Sequence, residues 1–240
     1  FTRPYSGIDG EKGWVRNLTW KRFKPQGTLY RLKRAKAFDT GRDVVIETVI
    51  EVDFADFKNG AIVYSKCTID GSRRIDVNMT FKLNPMVGDM PRVGAEHTIA
   101  SGYEDLAYYG LGPMENYSDR KSAAKLGIFK GRVEDHHFPY NPPSECGGHE
   151  ETRWVSLSNE AGQNIKFVSP IPFHFDVHHS TIEDYLNAGH DHEIVKRKET
   201  IVHIDAAHAG IGGGMGWSTF LGPEHRVEPS TYMLTYAIVF

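Results

Sequence analysis

The feature that most constrains this chain is a period of two in its apolar residues, running from Asp43 to Leu83. Residues 43–54 (DVVIETVIEVDF) form a β-branched run with partial alternation, followed by the polar turn Lys58-Asn59-Gly60. Residues 61–69 (AIVYSKCTI) alternate, Asp70-Gly71 is a hairpin signal, and residues 74–83 (RIDVNMTFKL) alternate again. Successive side chains on a strand face opposite ways, so these segments predict a three-strand antiparallel meander with a turn at each break. Further strands are predicted at 13–23, 97–109, 151–158, 164–170, 193–206 and 231–240. Helical signal is scarce. Residues 122–126 (SAAKL) and 180–188 (STIEDYLNA) each suit a short helix, the second with Ser180 or Thr181 as N-cap and Glu183 and Asp184 in the first turn. Many strands with two brief helices predict an all-β fold, a large antiparallel β-sandwich. No internal repeat or linker interrupts it, and residues 139–148 read as an ordered loop, so 1–240 is taken as a single domain.

Composition narrows the function classes. A net charge of -3 leaves no electrostatic footprint for nucleic acid or acidic lipid. No apolar run approaches the ~18 residues of a membrane span, so neither nucleic acid nor membrane is expected as a partner. Two cysteines, Cys67 and Cys146, give no disulfide scaffold and no Cys-rich zinc site, and are read as buried free thiols. The chain opens at Phe1 in what reads as ordered sequence, which suggests a piece of a longer protein. Cytoplasmic and periplasmic locations both fit.

Two segments could carry chemistry. In residues 108–120 (YYGLGPMENYSDR), Gly110 and Gly112 permit unusual backbone conformations, and Glu115, Asn116, Tyr117, Asp119 and Arg120 crowd polar groups together. Spacing allows either a polar site or a hydrogen-bond network that locks the loop. Residues 208–217 (HAGIGGGMGW) form a glycine-rich segment that delivers one tryptophan, Trp217, which fits a core anchor as well as a platform for a sugar ring. Twelve histidines invite a metal reading, yet His136, His137, His174, His178, His179, His190 and His192 match no zinc spacing, and no metal site is predicted. Glycoside hydrolysis needs two carboxylates flanking the bond. Spacing cannot place such a pair among 31 acids.

At GLGPMENYSDR the chain resembles the C-terminal small-chain domain of family 2 β-galactosidases, whose signature is close to G-(L/R)-G-P-x-E-N-Y-x-D-R. The likeness extends to residues 90–94 (MPRVG), 139–154 (PYNPPSECGGHEETRW) and 208–217, and faintly to 3–14 (RPYSGIDGEKGW), covering nearly the whole chain in the family order. Two departures stand out: Gly214-Met215-Gly216 replaces a polar stretch before the tryptophan, and Asp9 is the one match to the opening D-N-D element. The resemblance implies a galactose-mutarotase-like supersandwich that forms the C-terminal part of a multidomain retaining glycosidase acting on β-galactosides. It further implies substrate contact by Trp217 and His208, polar loop contacts by Glu115, Asn116 and Arg120, and catalytic carboxylates on another domain. The fragment alone is then expected to be inactive and without cofactor. Mg2+ and Na+ would belong to other domains, and the full enzyme would form homo-oligomers.

Two further readings stay open. An aldose 1-epimerase of the same fold would pair His174, His178 or His208 with Glu145 or Glu224. A carbohydrate-binding module would need only an aromatic platform.

Overall fold

The computed structural model describes residues 1–9, 21–212 and 221–240. Among these residues eleven strands are paired antiparallel: β1 (Leu29–Asp39), β2 (Val44–Phe54), β3 (Phe57–Ile69), β4 (Arg74–Leu83), β5 (Arg92–Ile99), β6 (Asp105–Gly112), β7 (Lys125–Arg132), β8 (His149–Ser158), β9 (Asn164–His178), β10 (Thr200–His208) and β11 (Thr231–Val239). Among the described residues there is one short helix, α1 (Ile182–Asn187), capped by Thr181, whose hydroxyl accepts the Asp184 N–H in a reciprocal capping box. The main sheet runs β1-β2-β3-β4-β11-β9-β8-β6-β7.

The predicted meander β2-β3-β4 forms in register, with Val44 opposite Ile69 and Ala61 opposite Leu83. β9 extends eight residues beyond the predicted end at Pro170. Its first half pairs with β8 and β11 through Val168, and its second half pairs with β10 from His174 onward and, across a register shift, again with β8 at Phe173 and Phe175. Pro170 and Pro172 fall between the two pairings, where a missing N–H breaks no ladder. The β10–β5 pair turns back over the main sheet. His97 of β5 thereby meets the Tyr236 hydroxyl of β11 at 2.8 Å, with its ring centroid 5.0 Å from that of Phe167. Between the layers lie Phe54, Phe81, Val93, Leu157, Phe167, Ile204 and Tyr236, all buried.

Several expectations are corrected. Residues 122–126 are a turn leading into β7, not a helix. The predicted strand 97–109 is two strands, broken by a turn in which Gly102 takes φ +94°. β10 begins at Thr200, after a 3-10 turn at Asp191–Glu193. Most of the predicted strand 13–23 lies outside the described residues, and its last three form a 3-10 turn. The strands at the two ends of the main sheet, β1 and β7, escape the period-two reading. Cys67 is half-buried and Cys146 buried, and both thiols are free.

Candidate functional site

β6 ends at Gly112, and the loop after it turns its polar side chains onto the chain's own backbone. Asn116 is fully buried. Its amide donates to the carbonyls of Leu111 and Met114 at 3.0 Å each, and its oxygen accepts the Glu150 N–H at 2.9 Å. Glu115 accepts from the Tyr140 hydroxyl and, at 2.8 Å, from the Gly147 N–H, with Arg120 3.3 Å away. The buried Tyr117 hydroxyl accepts the Gly148 N–H at 3.2 Å. These residues fix the 145–150 segment against the loop. Glu115 and Arg120 also border an open cleft of about 380 Å3 shared with His136, Tyr140 and His149.

Asp119 reaches the other glycine-shaped segment. Its two carboxylate oxygens accept the N–H groups of Ile211 at 3.0 Å and Gly212 at 2.6 Å. Glycine is required for this approach: a Cβ at Gly210 would stand 2.5 Å from the Asp119 carboxyl carbon, and Gly212 has φ +90°. From the opposite side the buried Arg3 donates to the carbonyls of Ala209 and, at 2.9 Å, Gly210, while Asp9 pairs with it at 2.9 Å. His208 lies at this base, 6% exposed. Residues 209–212, which lead into the rest of the glycine-rich segment, are therefore held by both Asp119 and Arg3. Trp217 itself lies outside the described residues.

Behind the loop base sits a buried polar core. Polar residues recur at every second position of β9 (His174, Asp176, His178) and at His203 and Asp205 of β10, on buried faces. Arg92, the first residue of β5, is 2% exposed and donates to Asp205 through two nitrogens and to Asp176 at 2.7 Å. His203 bridges Asp176 at 2.7 Å and Glu96 at 3.1 Å. Burial is the largest influence and works against ionising the two aspartates, but Arg92 together with His203 at Asp176, and with the His174 hydrogen bond at Asp205, outweighs it and holds both carboxyls below the ordinary range. Burial likewise opposes charge on His203, yet Asp176 carries it up to about 9. His174, Asp176 and Asp205 come together closely enough to suggest a cation site, but the cation there is Arg92. Sequence reading missed Arg92 and Asp205 as a pair; alternation of polar residues on an otherwise apolar strand was the available signal.

The structure also brings together His174, His208 and Glu145 of the epimerase reading. The two rings stack 4.1 Å apart, and His208 Nε2 lies 3.7 Å from Glu145 Oε1. His174 Nδ1 donates to Asp205 at 3.0 Å, His208 Nδ1 lies 2.9 Å from the Ala209 carbonyl and 3.4 Å from Arg3 Nη1, and neither Nε2 atom has a hydrogen-bond partner among the described residues. Burial, and then the Asp176 charge, push Glu145 up to about 7, so a protonated carboxyl can face these nitrogens. Among the described residues, the space beside Glu145 is a cavity of about 10 Å3. That holds one water and no sugar ring. Glu224 stands apart in an exposed 3-10 turn beside His225, and His178 belongs to a separate cluster with Cys146 and Tyr185. A second open cleft, about 490 Å3, is bordered by Tyr30, Glu96, Arg197 and the outer edge of the Arg92–Asp205 pair.

Comparison with known proteins agrees with the motif reading. The β-galactosidase small chain family matches residues 1–239. A β-galactosidase of Streptococcus thermophilus is 27% identical over 242 residues, covering 99% of this chain and 23% of that protein. One of Priestia megaterium is 25% identical over 232 residues, covering 95% and 22% respectively. The chain thus spans about a quarter of the length of these relatives. Among solved structures, the galactosidase domain of an α-galactosidase–sucrose kinase superposes with a TM-score of 0.41 at 10% identity, covering 88% of this chain and 26% of that one. With the match running through both clamped loops and the strands between them, the chain belongs to the β-galactosidase small chain family.

Proposed function

We propose that this chain is the part of a β-galactosidase that walls one side of the sugar site and presents Trp217 as a stacking platform for terminal β-D-galactosides. The observation that carries this reading is the Asp119 clamp: a residue of the most specific motif pins the base of the loop that ends in Trp217. His208 shapes that base from within, and Trp217 would meet the sugar. The catalytic carboxylates are assigned to another part of the intact polypeptide. Consistent with that, Asp176 is paired with Arg92 and His203, Asp205 with Arg92 and His174, and Asp9 with Arg3, and among the described residues Glu145 borders a cavity of only about 10 Å3. Retaining hydrolysis instead calls for two carboxyls about 5 Å apart on either side of an accessible bond.

A second observation suits a domain within a larger protein. Every residue of β1 is exposed, including Leu29, Tyr30, Leu32 and Phe38. A strand of this kind is commonly covered by a neighbouring domain or subunit.

Steady-state hydrolysis of a chromogenic β-galactoside by the intact enzyme provides the test. Trp217→Ala should lower kcat/KM by roughly 10-fold or more, the equivalent of about 1.4 kcal/mol of lost stacking. An unchanged kcat/KM would remove the assignment.

A further inference from the structure

Cys146, His178 and His137 form a cluster that neither the sugar-site reading nor the domain's packing explains. Their donor atoms all lie within 4.8 Å of one another. Cys146 and His178 are buried, and His137 is partly open to the cleft it shares with Phe138 and Gly147. On the inner side, Cys146, His178 and Tyr185 line the cavity of about 10 Å3. The close approach depends on Gly147, at φ +71°, where a Cβ would stand 2.2 Å from the His136 carbonyl and 3.0 Å from the His178 ring.

Hydrogen bonding orients both imidazoles the same way. His137 Nε2 donates to the Asp191 carboxylate at 2.7 Å, and His178 Nε2 donates to the Cys146 carbonyl at 3.0 Å. A neutral imidazole has a single N–H, so each Nδ1 is left as a lone pair. Both lone pairs face one group, the Tyr185 hydroxyl, at 2.8 Å and 3.4 Å. A hydroxyl has one proton and can satisfy only one of them. One of the two lone pairs is therefore left without a proton donor, a place that a metal ion could take. Two features favour the metal. Cys146 Sγ, 3.9 Å from the same hydroxyl, adds a soft donor, and the Phe138 N–H points at that sulfur at 3.5 Å. The Asp191–His137 and carbonyl–His178 bonds are the outer contacts that orient metal-bound imidazoles.

We infer that Cys146, His137 and His178 form a binding site for a borderline-soft divalent cation such as Zn2+. The ligands of a tetrahedral zinc lie roughly 3.3–3.6 Å apart, so closure from the present spacing takes shifts of about an ångström. The ion would replace the Tyr185 O–H as partner of the two nitrogens. Binding exchanges the Cys146 S–H bond for a sulfur–metal bond and releases that proton to solvent.

Co2+ titration of the intact protein, read by absorption, tests the site. The wild type should show a thiolate-to-cobalt charge-transfer band that saturates at one ion per chain. Zn2+ should displace it, Cys146→Ser should lack it, and Cys67→Ser should keep it. If Cys146→Ser does not fold, Asp191→Asn serves instead: this exposed change should weaken Co2+ binding about 10-fold and leave the melting temperature of the metal-free protein unchanged. A wild type without the band, a band that survives in Cys146→Ser, or an Asp191→Asn protein that binds as tightly as wild type would each overturn the assignment.

Discussion

The carboxylate of Asp119 accepts the Gly212 N–H at 2.6 Å across 93 positions of sequence. A second oxygen takes the neighbouring Ile211 N–H. One side chain thus converts two distant motifs into a single element, and the glycines at 210 and 212 are what let it approach.

Asp119→Ala leaves those two N–H groups without their anionic acceptor. Charge-assisted hydrogen bonds contribute about 1.5–3 kcal/mol, and orphaned donors add a desolvation cost. Urea denaturation should show a loss of about 2–3 kcal/mol, and a loss under 0.5 kcal/mol would mean that the clamp does not hold the loop.

Gly94 explains the glycine of MPRVG. A Cβ there would lie 2.0 Å from Asp205 Oδ1 and 2.4 Å from the Ile204 carbonyl. Backbone cannot yield, so the Asp205–Arg92 pair must. Gly94→Ala should destabilise by about 3 kcal/mol or more; a Tm within a degree of wild type would contradict the close approach.

Arg92→Met should be worse tolerated than an ordinary core change. It removes the cation between two buried carboxylates, a loss of about 3–5 kcal/mol. Adding Asp176→Asn and Asp205→Asn should recover part of that loss, because the uncompensated charges disappear. Failure of the triple variant to exceed Arg92→Met in stability would show that packing, not charge, sets the cost.

Stability should fall on the acid side. Burial lowers His97, His136 and His178 to about 4 and His149 to about 3. These folded values lie below the ordinary value near 6.5, so the unfolded chain takes up protons first. Their contribution is fully present above about pH 6.5 and is lost as pH falls toward 4. Glu145 at about 7 and His203 at about 9 act in the opposite sense: each is raised in the fold, and its contribution is lost as pH rises through those values. Burial depresses His208 further still, so between about pH 4.5 and 6.5 the unfolded chain binds more protons than the fold and stability drops as pH falls through this window. Chemical denaturation at a series of pH values should place maximum stability near pH 6.5, and a flat profile from pH 5 to 7 would exclude neutral buried imidazoles.

Legibility in the sequence followed burial. β2, β3, β4 and β11 pack one face on the core and alternate accordingly, so they were readable. The strands at the two ends of the main sheet were not. β1 carries Arg31, Lys33, Arg34 and Lys36 and is exposed throughout, while β7 carries Lys125, Lys130 and Arg132. Charge on an edge strand discourages pairing with other chains, and it also erases the alternation by which strands are recognised. The polar core was half-legible. His174 and His178 could be placed on one face of a strand from spacing, but Arg92 meets Asp205 only because β5 pairs with β10. The Asp119 clamp was equally out of reach, since nothing local links position 119 to position 212.

A double-mutant cycle on the intact enzyme addresses the central claim most directly, with kcat/KM for a chromogenic β-galactoside measured for wild type, Asp119→Ala, Trp217→Ala and the double variant. If Asp119 acts by positioning the loop that carries Trp217, removing Asp119 should cost little once Trp217 is gone. The account predicts a coupling of about 1 kcal/mol or more. Additive effects of the two substitutions would contradict it.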